Sequence, residues 1–285
     1  MHPARILALT SLAMIAFAAN SILGRLALRD SGIDAASFTA IRLISGALML
    51  WFLVSISSKK QSGRGDWGSA IALLIYAAGF SFAYISLPTA TGALILFGAV
   101  QSTMIGYGLY KGEFLGKFQI IGLALAVAGL VVLLLPGLSA PPLQGSLLMF
   151  GAGIAWGVYS LRGKSQNKNN GDPTQITAGN FLRAAPLAVL LPIFMLGGIS
   201  INATGILYAI ASGALASGMG YSIWYAALPA LKSTTAATVQ LSVPLLAALG
   251  GIIFLQEPIS LRLALASLAI LGGIALIVLE KSKNR

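Results

Sequence analysis

GYSIWYAALPALKSTTAATVQLSVPLLAALGGIIFLQEPISLRLALASLAILGGIALI, residues 220–277, decides the fold. The chain carries a related version of this stretch upstream. A shift of 144 residues lays Gly79–Leu135 on Ile223–Leu279. Glu113 then falls on Glu257, Gly106 on Gly250 and Gly129 on Gly273, while Ala83 and Leu87 fall on Ala227 and Leu231. Both copies consist of apolar runs separated by short polar punctuation. A repeat with an odd number of spans must lie inverted in the bilayer relative to its partner. Inverted repeats with a binding site between them are the signature of alternating-access transport.

Composition agrees with a bilayer as the solvent. The 285 residues are 57% hydrophobic and 9% charged, with a mean hydropathy of +0.89. A soluble domain carries about 25% charged residues, so this chain has too little charge to cover a water-facing surface. The net charge of +11 resides in short loops and at the C-terminus, with no basic patch interleaved with aromatics, so nucleic acid is not an expected partner. Cysteine is absent, the single histidine is His2, and Asp and Glu total seven. Thiolate metal sites, Ser-His-Asp triads and paired-carboxylate sites all lack parts. The expectation is therefore no metal, no cofactor and no enzyme. Arg5, the apolar run after it and Ala16-Phe17-Ala18 imitate a signal peptide. We read the run as a first span instead, because it has a counterpart in the second copy.

A hydrocarbon core about 30 Å thick needs roughly 20 apolar residues per helix. The expectation is an all-α membrane protein of ten transmembrane helices in two inverted five-helix repeats, residues 1–138 and 139–285. The spans of the first repeat are Ile6–Leu26, Ser37–Ile56, Trp67–Leu87, Thr89–Tyr110 and Phe118–Leu135. Those of the second are Leu143–Leu161, Gln175–Leu196, Gly205–Leu228, Thr234–Leu255 and Leu261–Leu279. Barrel strands would alternate polar and apolar residues, and Ile120–Leu135 does not. With the N-terminus in the cytoplasm, Lys59, Lys60, Arg64, Lys111, Arg162, Lys232 and Lys281 fall on the cytoplasmic side, against Arg25, Arg29 and Arg262 outside. The positive-inside rule then places both termini in the cytoplasm of a bacterial-type inner membrane.

A few polar and aromatic residues interrupt the apolar spans. Phe17, Asn20, Ser21 and Gly24 match Trp156, Tyr159, Ser160 and Gly163 at an offset of 139 residues. Within each helix they occupy i, i+3, i+4 and i+7, one face. A polar group in lipid must find a partner, so both faces point inward. They are either interhelical glue or opposite walls of a cavity. Tyr221, Trp224 and Tyr225 form a similar face on the eighth span, and Tyr84 lies on the third. These aromatics fit either a cavity or an interfacial belt. Phe97 and Gln101 stand one turn apart on the fourth span. In the ninth, Pro244 leaves the carbonyl of Gln240 without its helical donor, an arrangement found at transporter sites. Arg42 and Arg183 lie within spans. Arg42 is expected to snorkel to the outer interface, and either arginine can serve as a structural cation or touch substrate. Glu113 and Glu257 sit at helix ends. No carboxylate lies mid-span, so a neutral, zwitterionic or anionic solute is favoured over a cation.

These residues resemble the EamA-type members of the drug/metabolite transporter superfamily. In the second repeat the resemblance rests on Trp224–Tyr225, Ala236–Ala237, Pro244, Glu257 and Gly272–Gly273. In the first it rests on Ala83–Leu87, Gly92–Ala93, Glu113 and Gly122–Gly129, with Arg42 and Arg183 in the second helix of each repeat. The chain departs from the pattern at Val100, where the first repeat lacks the proline, and at Phe17-Ala18, where Trp-Gly is common. It also lacks the helix-1 Glu of the small multidrug branch. The resemblance implies ten helices, a central cavity from helices 1, 3, 4, 6, 8 and 9, and alternating access. The expected function is export of amino acids or related solutes by facilitated diffusion or exchange. A proton-coupled efflux pump is the alternative within the class, and a channel or a membrane-embedded enzyme are the alternatives outside it. The expected partners are a small-molecule substrate and the lipid bilayer. A monomer is compatible with this reading.

Overall fold

The computed structural model of the chain describes residues 3–57, 63–112, 116–135, 140–167, 172–194, 198–231 and 239–283. Glu113, residues 136–139 at the expected repeat boundary, and the first turns of the expected ninth span lie outside these. The described chain is helical throughout. Its elements are α1 (Pro3–Asp30), α2 (Ala35–Ser55), α3 (Trp67–Tyr84), α4 (Thr89–Tyr110), α5 (Lys117–Leu134), α6 (Leu143–Asn167) and α7 (Pro173–Phe194). α8 runs from Ala203 to Ala227 and closes in a 3-10 turn, Leu228–Ala230; α9 (Ser242–Leu255) and α10 (Leu261–Lys283) follow. Among the described residues, α1 to α5, α7 and α8 are long and apolar enough to cross a membrane, while α9 and Leu261–Ile277 of α10 are shorter apolar helices.

Local chemistry sets where helices begin. Asp34, Asp66 and Asn202 are extended residues whose side chains accept the backbone N–H of Ser37, Ser69 and Gly205, respectively. Each satisfies a donor that the first turn would otherwise leave bare. The exterior is apolar: Leu261 is 76% exposed and Ile253 and Phe254 are 68% exposed. Such a surface is a liability in water and the required one in lipid.

The helices pack in a definite set of pairs. The most extensive are α5 with α10, α3 with α6, α2 with α7, α4 with α6, and α1 and α2 with α8; α1 and α4 both meet α9. Small residues permit this closeness. A Cβ on Gly122 would strike the carbonyl of Gly273, and a Cβ on Gly273 would strike the carbonyl of Gly122. Gly129 meets the carbonyl of Ala266 nearby, 3.1 Å from where its own Cβ would be. Backbone cannot yield as a side-chain tip can. Gly273→Ala should therefore force α5 and α10 apart and cost about 1–3 kcal/mol. Gly106→Ala, where nothing lies within 4 Å, should melt at or slightly above wild type, since alanine is the better helix former. Equal melting temperatures for the two purified variants would contradict this interface.

One feature departs from the sequence expectation. The middle of α8, Ala211–Met219, is π-helical. Its composition, ASGALASGM, lets it lie directly on α2: a Cβ on Gly213 would collide with the Arg42 carbonyl and Ser45 Oγ. π segments concentrate at functional sites, and this one presents Ser212 and Ala216 to the interior. The interruption expected at Pro244 is present: Val239 and Gln240 are helical, the helix pattern breaks at Leu241, and it resumes at Ser242 as α9 with Pro244 in its first turn. Proline supplies no N–H for the carbonyl of Gln240, four residues earlier.

Candidate functional site

α1, α3, α4, α6, α7 and α8, together with Gln240 just before α9, surround a cavity of about 330 Å³. From α1 come Phe17, Asn20 and Ser21, and from α4 come Phe97 and Gln101. α6 supplies Trp156, Tyr159 and Ser160, and α8 supplies Tyr221, Trp224 and Tyr225. The two faces found at the 139-residue offset thus meet across one space.

Aromatic rings make most of the wall. Trp156 is stacked between Tyr159 (5.2 Å, 24°) and Tyr221 (5.1 Å, 23°). Phe17 closes on Tyr221 at 5.6 Å and on Trp224 at 6.2 Å. Such tilted and offset geometries are the favourable ones for ring pairs. Tyr225 also faces this space, so it does not serve as part of an interfacial belt.

A hydrogen-bonded chain runs along one side. Ser212 Oγ donates to Asn20 Oδ1 at 2.6 Å, and Asn20 Nδ2 donates to the Tyr76 hydroxyl at 3.3 Å. Arg42 Nη2 donates to the same hydroxyl at 3.0 Å. Arg42 does not snorkel. It is 2% exposed, with its guanidinium 4.5 Å from the Phe80 ring centre and 5.2 Å from that of Tyr76. Ring faces and a hydroxyl inside the bundle outcompete the interface for it. Arg183 behaves differently. It donates to the carbonyls of Arg64 and Gly179 near the start of α7 and stays out of the lining.

Tyr84 also stays out. It is fully buried beneath the cavity, its hydroxyl donates to the Thr89 carbonyl at 3.3 Å, and its ring meets Phe80 edge-on. Gly24 and Gly92 leave room for these rings. This end of the bundle is tied shut. Arg25 pairs with Glu257 at 3.3 Å and donates to the carbonyls of Tyr84 and Ile85. Glu257 Oε2 accepts the Thr89 N–H at 2.8 Å, at the start of α4. One ion pair therefore joins the ends of α1, α3 and α9 to the beginning of α4. The cavity instead extends toward Gly163, Pro173 and Leu231, at the opposite ends of the helices. A second ion pair stands at that side: Arg162 on Asp66 at 2.7 Å. Burial pushes the Asp66 carboxyl up, but the bonds from Ser69 and Arg162 outweigh it and hold it below the ordinary carboxylate range.

Sequence reasoning missed Tyr76, Phe80 as a lining residue, Thr177 and Asn180, all of which face the cavity. Tyr76, Phe80 and Tyr84 are spaced four apart on α3, a signal that one-face spacing could have caught. Asn180 is a polar residue well inside a span, the same kind of signal that singled out Asn20. Its Nδ2 donates to the Tyr159 hydroxyl at 3.4 Å.

Comparison with known proteins places this architecture. The EamA-like transporter family matches residues 143–279. An uncharacterized protein of Pseudomonas aeruginosa is 54% identical over 98% of this chain and 96% of its own length. An uncharacterized transporter of Archaeoglobus fulgidus is 26% identical over 81% of this chain and 84% of its own. The threonine/homoserine exporter RhtA of Escherichia coli is 34% identical, and that match spans 57% of this chain and 56% of the exporter. A solved structure at 22% identity superposes with a TM-score of 0.66 over 96% of this chain and 99% of its own, which speaks to fold alone. With a multi-pass helical bundle around a lined cavity, these matches show that the chain is an integral membrane protein that belongs to the EamA-like transporters of the drug/metabolite transporter superfamily.

Proposed function

We propose that the protein exports amino acids or related neutral or zwitterionic solutes across the inner membrane by alternating access, through facilitated diffusion or exchange. The observation that carries this reading is the cavity, lined by aromatic rings and neutral hydrogen-bonding groups and tied shut at one end by Arg25 and Glu257. Its volume lies at the small end of ligand sites, about 300–1,000 Å³, which suits a metabolite of amino-acid size. The similarity to a threonine/homoserine exporter supports the same substrate class.

Ten spans in two inverted repeats, residues 1–138 and 139–285, form the frame of this proposal. Exchanging each helix with the one five places on carries the most extensive packed pairs onto one another. α3 with α6 becomes α8 with α1, and α4 with α6 becomes α9 with α1. The 144-residue shift likewise carries the contact of Gly122 with Gly273 onto that of Ala266 with Gly129. In the orientation with both termini cytoplasmic, the tied end faces outward and the cavity extends toward the cytoplasm. Ser55→Cys should then react with an impermeant reagent only from inside, and Thr204→Cys only from outside. The reverse pattern would overturn the orientation.

Counterflow in proteoliposomes tests the function. Preloaded amino acid should drive transient accumulation of the labelled solute, with saturation. An imposed pH gradient should change the rate little, because each described carboxylate is engaged at a helix end. Glu257 in particular is held by Arg25 and Thr89. Strong uphill uptake driven by protons alone would instead favour a proton-coupled pump.

A further inference from the structure

Tyr76 stands where the cavity meets the buried guanidinium of Arg42. Its hydroxyl has one proton to donate and two lone pairs with which to accept. Asn20 and Arg42 both donate to it, at 3.3 and 3.0 Å. The 2.6 Å contact from Ser212 is an O–H···O length. It sets the Asn20 oxygen toward Ser212 and leaves the NH2 for Tyr76. With both lone pairs occupied, the Tyr76 proton must itself seek an acceptor, and among the described residues it has none. Arg42 Nη1 is likewise buried without a hydrogen-bond partner among the described residues.

The charge is unmatched too. A guanidinium stays protonated in proteins, and a buried cation requires compensation. The described carboxylates are all engaged elsewhere. Asp30 binds Arg29, Asp66 binds Arg162, Glu257 binds Arg25, and Asp34 and Asp172 accept backbone N–H groups at helix starts. The wall at Tyr76 therefore combines a positive potential with a proton lacking an acceptor.

Resting on the transporter reading above, we propose that Tyr76, polarised by Arg42 and oriented by Asn20, receives the carboxylate of the transported solute. The substrate class is then small carboxylate-bearing metabolites, with the remainder of the solute against the rings of Trp156 and Tyr221. Tyr76 contacts the ligand, and Arg42 is a positioning residue that acts through it. Amides and amines of the same shape bind poorly, because they bring no negative charge to this wall.

The test is competition in counterflow, using L-threonine, L-lactate, L-threoninamide and 1-aminopropan-2-ol, with wild type, Tyr76→Phe, Arg42→Gln and Arg42→Lys. In wild type, L-threonine should be favoured over its amide by about 10- to 100-fold, the span of a charge-assisted hydrogen bond. L-lactate should be favoured over the amine. Tyr76→Phe keeps the ring contacts and should reduce the acid-to-amide ratio by about tenfold. Arg42→Gln should do the same, and Arg42→Lys should restore part of it. A purely structural role would lower the amount of active protein without moving that ratio. If Arg42→Gln fails to fold, Tyr76→Phe still decides. Equal handling of acid and amide by wild type, or an unchanged ratio in Tyr76→Phe, would overturn the carboxylate assignment and leave transport standing. Absence of counterflow for every solute would overturn the transport reading and this inference together.

Discussion

Glu257→Ala is expected to lower the melting temperature of the purified protein by roughly 10 °C, more than any substitution in the cavity wall. Side-chain exposure of the pair is 11% for Arg25 and 9% for Glu257. Removing one partner of a buried ion pair leaves an uncompensated charge and costs about 3–5 kcal/mol. Glu257 also caps the start of α4 through the Thr89 N–H, so alanine strands that donor as well. Glu257→Gln also leaves Arg25 without its counter-charge but keeps an oxygen for Thr89 and for Arg25, so it should cost about 1–2 kcal/mol less than alanine. Because the cluster closes one end of the cavity, loosening it should also open that end. A cysteine at Ser21, on the lining, should then react faster with an impermeant reagent from the side that Arg25 and Glu257 close. Matching melting curves for the Ala and Gln variants, with labelling unchanged, would show that the pair does not hold this end shut.

The facing walls from α1 and α6 were legible because polar residues stand out in apolar spans. Asn20, Ser21, Tyr159 and Ser160 have no reason to be there unless they face inward, and helical spacing aligns them. Other features were hidden for physical reasons. Arg42 and Arg183 occupy similar places in sequence, yet one is drawn inward by Tyr76 and Phe80 while the other binds backbone carbonyls near a helix start. That choice depends on which neighbours arrive, and spacing within a single helix does not encode it. The π segment of α8 was equally hidden. Ala, Ser and Gly fit many helix geometries, and only contact with the backbone of α2 at Gly213 selects this one. Tyr84 was named for its aromatic character and position, but it lies one turn too far along α3 and packs beneath the cavity.

The cavity reading and the glue reading can be separated with Gln240, Tyr159 and Asn20, because the structure gives these residues different amounts of internal bonding. The Gln240 side chain borders the cavity and makes no hydrogen bond to another described residue. Gln240→Ala should therefore leave the melting temperature unchanged. If its amide bonds the solute that counterflow identifies, affinity should fall by about 5- to 150-fold, the equivalent of about 1–3 kcal/mol. Tyr159→Phe keeps the stack on Trp156 and gives up one long bond from Asn180, at 3.4 Å. Its stability loss should be small and its affinity loss larger. Asn20→Ala removes the link between Ser212 and Tyr76, and it should reduce stability and affinity together, each by about 1–3 kcal/mol. The glue reading orders the same three variants by stability alone. Binding and melting measured on the same purified samples decide between the two. Wild-type affinity in all three, with stability falling in proportion to the internal bonds lost, would remove these residues from the site and leave them as cement between helices.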